Sequence, residues 1–234
     1  MVDERAGAGE VWISSWRSDY RIGNKCGVRT KYRGRDWDSA KFILDMPPAY
    51  AQKAFDKVNF GITLDRDDFP EAGAVWNEKA FLRKGDLFYV GLFAAVKGKM
   101  LEVLSQFDLG EGGLVDIPMF KADLETPWPE RCCWINFGSA KTCFVAKESS
   151  QTRIHSLGEN PELEQERWNI RGNAEDFSIA VSEAALKGAD LWTEGQLVEE
   201  IFMSGRLAHA LKLAKPKTAG SLRLHQARIV ESGL

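Results

Sequence analysis

Arg29, Lys31, Arg33 and Arg35 stand at alternate positions of one short run, with Trp16, Tyr20, Tyr32 and Trp37 around them. Cations at every second position of a strand share a face, and aromatic rings beside them can stack on bases. That mixture is the chemistry of a single-stranded nucleic-acid site. The same row also protects an exposed strand edge from pairing with a second strand, and that protective or solvated reading is the favoured one. A second cluster has the opposite sign. Glu159, Glu162, Glu164 and Glu166 lie in and around "GENPELEQERW", and Glu175 and Asp176 follow. An acidic loop of this kind either keeps a chain in solution or meets a cationic partner surface, where complementary charge speeds association.

The remaining candidates are weaker. "DRDD" at Asp65–Asp68 clusters carboxylates without the ordered spacing and closing glutamate of a calcium loop, and reads as a solvated loop. The four cysteines, Cys26, Cys132, Cys133 and Cys143, form no CxxC pair. Strand alternation sends the adjacent Cys132 and Cys133 to opposite faces, a poor metal site, so they read as reduced apolar filler. His155, His209 and His225 are widely separated and read as surface or packed residues. A phosphate-binding glycine loop, a dinucleotide fingerprint, a nucleophile elbow and a paired-cysteine deaminase motif are all missing from the sequence. The expectation is a protein that is not an enzyme and uses no cofactor and no metal.

Charge is distributed unevenly around a formal net of -3. Arg17 to Arg35 holds seven basic residues against the single acid Asp19, whereas residues 155–200 hold eleven acids against Arg167, Arg171 and Lys187. Hydrophobic residues at 44% and charged residues at 28% match a folded globular chain rather than a disordered one. An acidic N-terminus without an apolar core segment, and the lack of any long apolar run, predict a cytoplasmic protein that is neither secreted nor membrane-bound.

The elements that must carry these residues follow from periodicity. "VWISSW" and "GVRTKYR" read as strands, "PPAYAQKAFDKV" as a helix and "GDLFYVG" as a short apolar segment. Val96, Met100, Val103, Leu104 and Phe107 recur at helical spacing, and "DLGEGG" ends that helix. "LVDIPMF" predicts a strand that Pro118 confines to an edge or to its first position. "RCCWINFGSAKTCFVA" predicts a hairpin turning through Gly138 to Lys141, with a polar acidic loop over 148–174 and a strand at "FSIAV". Ser204 caps a predicted helix whose Leu207, Ala210, Leu211 and Ala214 share a face, before a strand at "SLRLHQARIV". Helix, glycine-bearing turn and strand thus occur twice, as a weak internal repeat or as what α+β folds commonly produce. The predicted fold is α+β: one compact domain, residues 1–234, with a mixed or mainly antiparallel sheet flanked by a few helices.

Three runs carry a resemblance: "GDLFYVGLFAAVKGKMLEVLSQFDLGEGGLVDIPMFKADLETPWP", "SEAALKGADLW", and "IFMSGRLAHALKLA" followed by "LRLHQARIV". In order and spacing they resemble immunity family eleven of the bacterial polymorphic toxin systems. The resemblance covers about residues 85–230, and residues 1–84 have no match in it. It implies an immunity protein that neutralises a cognate antibacterial toxin, often a nuclease, by direct protein contact in competition between bacteria. Under that reading Glu159, Glu162, Glu164, Glu166, Glu175 and Asp176 are the candidate toxin contacts. The stretch from Asp190 to Lys212 is then scaffold, with its apolar positions in the core and its glutamates facing solvent, or else a toxin-contacting groove. The alternative is a nucleic-acid-binding or regulatory module using Arg29, Lys31, Arg33 and Arg35. The acidic remainder argues against nucleic acid as a partner.

Overall fold

The structure is a computed structural model, and it describes residues 7–23, 27–39, 46–154, 167–172, 174–197, 199–218 and 222–231. The chain opens with β1 (Val11–Ser14), a short helix α1 (Tyr20–Gly23), β2 (Val28–Lys31) and α2 (Ala49–Asn59). It continues through β3 (Ala72–Val75), α3 (Glu78–Lys84), β4 (Leu87–Val90), β5 (Phe93–Val96), α4 (Gly98–Leu104), β6 (Gly113–Asp116), β7 (Met119–Phe120) and β8 (Cys133–Asn136). The next strands are β9 (Ala140–Lys141), β10 (Thr152–Ile154), β11 (Trp168–Ile170) and β12 (Ala180–Ser182). Last come β13 (Leu191–Glu194), β14 (Ile201–Ser204), α5 (Gly205–Ala214), β15 (Leu224–Gln226) and β16 (Arg228–Val230). The fold is α+β with mainly antiparallel, partly mixed sheets. Among the described residues no helix is long and apolar enough to cross a membrane.

The internal repeat is present in the topology. In the first unit, hairpin β4–β5 leads into α4 and then β6; in the second, hairpin β13–β14 leads into α5 and then β15. Each sheet accepts a strand from elsewhere in the chain at the same place. β8 lies antiparallel between β5 and β6, and β1 lies antiparallel between β14 and β15. Outside the hairpins the match continues: β3 pairs in parallel with β7, and β12 pairs in parallel with β16. Met100, Val103 and Leu104 of α4 occupy the positions of Leu207, Ala210 and Leu211 of α5, and all six are buried.

A reciprocal contact joins the units. Asp86 and Asp190 each stand just before the first hairpin strand of their own unit, and each carboxylate accepts the backbone N–H of the segment that leaves the other unit's helix. Asp190 Oδ2 takes Asp108 N–H at 3.1 Å, and Asp86 Oδ2 takes Lys217 N–H at 3.1 Å. Backbone bonds run back the other way, from Asp190 N to Asp108 O at 2.7 Å and from Asp86 N to Lys217 O at 2.5 Å. Within each unit the same aspartate's carbonyl accepts the N–H of the residue before the helix, Lys97 at 3.0 Å and Ser204 at 2.9 Å. Both helices begin on glycine because the first turn is crowded. Gly98 has φ +51°, and a Cβ there would meet Asp86 Oδ1 at 2.9 Å; a Cβ on Gly205 would meet Gly7 O at 2.2 Å.

The units differ at the cap. The Ser204 hydroxyl accepts Leu207 N–H at 3.3 Å and donates to Asp190 Oδ1 at 2.6 Å, the predicted N-cap. At the matching position Lys97 gives no side-chain cap and instead pairs with Glu130 at 2.9 Å, its ammonium 5.4 Å from the Phe81 ring centre.

The five-stranded sheet β15-β1-β14-β13-β9 is covered on both faces. Trp12, Leu191, Ile201 and Met203 join the main core with Trp134, Leu104, Leu207 and Leu211. Val11, Ile13, Trp192 and Phe202 point the opposite way into a smaller core with Phe144 and Val181. Trp192 and Phe202 are cross-strand partners and stack at 5.9 Å.

Several sequence expectations change: "SLRLHQARIV" is two strands, β15 and β16, in different sheets, Phe107 lies beyond the end of α4, and the predicted loop over 148–174 contains the β10–β11 pair. Val96 ends β5 and is not helical; strand end and helix start both bury apolar residues there, so their periods merge. "RCCWINFGSAKTCFVA" is no hairpin, because β8 joins the four-stranded sheet and β9 pairs in parallel with β13 of the other. Pro118 separates two strands, β6 and β7, and β7 is an edge strand as predicted. The apolar positions from Asp190 to Lys212 are largely core, but they form a hairpin and a helix, and Glu194 and Glu200 are buried rather than facing solvent.

Asp190→Ala leaves the Asp108 N–H, the Ser204 hydroxyl and the Arg206 guanidinium, 3.0 Å away, without their acceptor. Denaturant titration is expected to show a loss of about 3 kcal/mol, with less for Asp190→Asn. Leu104→Ala and Leu211→Ala are each expected to cost about 2 to 5 kcal/mol through lost burial and residual cavities, and unchanged unfolding in both would contradict the packing given for the two helices.

Candidate functional site

The basic row is not a continuous strand face. β2 ends at Lys31, and Arg33 and Arg35 lie in the turn that follows. All four cations have local partners. Arg29 donates from Nε to Asp38 O at 2.7 Å, Lys31 approaches Glu71 at 3.6 Å, Arg33 pairs with Asp67 at 3.1 Å, and Arg35 donates to Met46 O at 2.8 Å. Of the aromatics, Trp16 and Tyr32 are buried, and Trp37 packs edge-on against Phe120. The row fastens the segment after β2 to its surroundings. In "DRDD", Asp68 accepts Asp65 N–H and pairs with Lys57.

Cys132, Cys133 and Cys143 are buried thiols. Burial pushes Cys132 up to about 12; burial, then the hydrogen bond to Asp116, pushes Cys133 up to about 12. They are therefore held as thiols. Among the described residues, no group of His, Cys, Asp and Glu is placed to hold a metal ion. Cys26 and His155 lie outside the described residues, and His209 contacts Glu10 at 2.9 Å.

Glu159, Glu162, Glu164 and Glu166 also lie outside the described residues, between β10 and β11. Glu175 and Asp176 lie on an exposed turn just before β12, followed by Phe177, which is 53% exposed. Phe177 has φ +64°, a conformation that a bulky side chain adopts only when its surroundings impose it. Here they do. Phe177 N–H donates to Gln226 O at 2.7 Å, Gln226 N–H donates to Asp176 Oδ1 at 2.8 Å, and the Ser178 hydroxyl donates to Glu175 O at 2.7 Å. Ser150 N–H donates to Ser178 O at 2.8 Å, so the β10–β11 pair leaves the fold beside this turn, with Ile154 exposed on β10. What the structure adds to the sequence reading is that the ring next to these two acids is exposed and held on a left-handed backbone.

A second site was not legible in the sequence. A cleft of about 320 Å³ opens where the two hairpin tips meet, lined by Tyr89 and Leu92 from the first and Glu199 from the second. Arg17, Phe55, Asn59 and Arg167 complete its walls. Arg17 donates to Asn59 Oδ1 and lies 5.6 Å from the Phe55 ring centre, with the Tyr89 hydroxyl near enough to act on its charge. Burial lowers the Arg17 guanidinium and raises the Tyr89 phenol, each partly offset by the other. Behind the cleft Glu200 accepts the Ser15 hydroxyl at 2.7 Å, and burial pushes its carboxyl up to about 7. The other buried glutamate, Glu194, accepts Cys143 N–H at 2.8 Å and Phe144 N–H at 3.1 Å; burial raises its carboxyl too. Arg17, Tyr89 and Glu200 come from distant segments, and no spacing announces their meeting. The one available signal was two glutamates bordering otherwise apolar strands. No family model, no curated protein and no solved structure matches this chain.

Because Glu200 is raised from its ordinary 4.5 to about 7, its contribution to stability is fully present below 4.5 and is lost as pH rises through about 7. The shift corresponds to about 3 kcal/mol. Glu200→Gln is expected to remove that part of the pH dependence, so that variant and wild type diverge in melting temperature at alkaline pH, with the variant higher.

Proposed function

We propose that this chain is an immunity protein that binds and neutralises a cognate antibacterial toxin by direct contact. The observation that carries the reading is the Glu175–Asp176–Phe177 turn, where a strained backbone holds an exposed ring next to two exposed acids. Interfaces concentrate their affinity in a few aromatic anchors ringed by polar groups, and complementary charge around the anchor sets the rate of encounter. An acidic rim fits a nuclease toxin, whose cleft is cationic because its substrate is a polyanion. The resemblance over residues 85–230 supports the same class.

The test uses the toxin domain encoded beside this chain's gene. Phe177→Gly separates binding from folding, because glycine accepts φ +64° without strain. Its thermal stability is expected to hold or rise, while affinity falls by about 2 kcal/mol, roughly thirtyfold. Glu175→Lys, and reversal of Glu162, Glu164 and Glu166 to lysine, are expected to slow association and flatten its salt dependence with the fold intact. Lack of binding to that toxin, or of protection when the two are co-expressed, contradicts the reading.

A further inference from the structure

We propose that the cleft between Arg17 and Arg167 binds a small organic carboxylate with an apolar body, the carboxylate on Arg167 and the apolar part against Phe55 and Leu92. This goes beyond toxin binding and is independent of it.

The two guanidiniums are in different situations. Arg17 is committed to Asn59, Tyr89 and the Phe55 ring, and the carboxyls of Glu199 and Glu200 act on its charge. Arg167 is half-buried, 5.1 Å from the Phe60 ring centre, and its Nε is buried with no hydrogen-bond partner. Burial lowers its guanidinium, and among the described residues no carboxylate offsets that effect. A half-buried cation on the wall of an open cleft, with its Nε unpartnered and no counter-ion among the described residues, is a cost that an anion lowers.

The rest of the cleft narrows the anion. Its volume lies near the lower end of the range for small-ligand sites, about 300 Å³. Phe55, Leu92 and the Tyr89 ring offer apolar walls, and the Asn59 side chain a polar end. A guanidinium's planar fork matches a carboxylate in two parallel hydrogen bonds. Glu199 in the same lining disfavours a second negative charge on the ligand, which selects a monocarboxylate over phosphate. Glu199 also has φ +68°, so this part of the lining is held in a conformation its own sequence does not favour.

The test is calorimetric titration of the full chain with acetate, phenylacetate and indole-3-acetate, beside benzyl alcohol and inorganic phosphate. Affinity is expected to rise with the apolar body along the three carboxylates, and to be at least about tenfold weaker for benzyl alcohol and for phosphate. Arg167→Met is expected to weaken phenylacetate about tenfold while leaving the ligand-free melting temperature unchanged or higher, because a purely structural arginine would lower it. Arg167→Lys keeps the charge without the fork and is expected to recover only part of the affinity. The proposal is overturned if none of the carboxylates saturates by about 10 mM, if phosphate or benzyl alcohol binds as well as phenylacetate, or if both Arg167 variants bind like the wild type.

Discussion

The crossed contacts of Asp86 and Asp190 are the constraint on which the rest of the structure depends. Each aspartate satisfies backbone at both ends of the helical layer: the start of its own unit's helix and the exit of the other's. A helix leaves unpaired N–H and C=O groups at its ends, and a buried end without partners is costly. Here one carboxylate and one peptide group per unit resolve that problem and fix the units against each other. With α4 and α5 held side by side, the buried leucines and methionine on their shared face close the core between the sheets.

The repeat also explains why β1, near the start of the chain, is buried deep in the fold. Each hairpin sheet has a slot between the second hairpin strand and the strand that returns after the helix. The first unit fills it with β8 and the second with β1. Covering the five-stranded sheet on both faces then brings polar groups inside. Glu194 is buried among backbone donors and Glu200 beside a serine hydroxyl, and both carboxyls are shifted upward by burial. Their burial follows from the double coverage of β13 and β14, and it makes stability sensitive to pH near neutrality.

Two regions remain after the scaffold is accounted for. The Glu175–Asp176–Phe177 turn projects a ring and two acids from bonds that a loop tolerant of any sequence would not need. The cleft at the hairpin tips brings Tyr89, Leu92 and Glu199 from both units against Arg17 and Arg167. The two are chemically distinct, one an acidic projection and the other a cation-lined recess, and neither relies on the basic row, whose side chains are engaged with nearby carbonyls and carboxylates.

The sequence by itself determined the local elements. Strand-like runs marked β1 and β2, a short apolar run marked β4, the glycines after α4 marked its end, Ser204 marked the start of α5, and the matching apolar positions of the two helices were open to a repeat that the topology then showed. These rest on neighbours within a few residues, where spacing and side-chain type decide the outcome. Only the tertiary structure decided that β8 and β9 part into different sheets, that Val96 belongs to a strand, and that Glu194 and Glu200 lie inside. The same holds for the meeting of Arg17, Tyr89 and Arg167, and for the exposure and left-handed backbone of Phe177. Those features depend on strand pairing between segments far apart in the chain. A strand's period shows which residues share a face, but the neighbour across that face is set by the crossed aspartate contacts and the filled sheet slots, which no local pattern records.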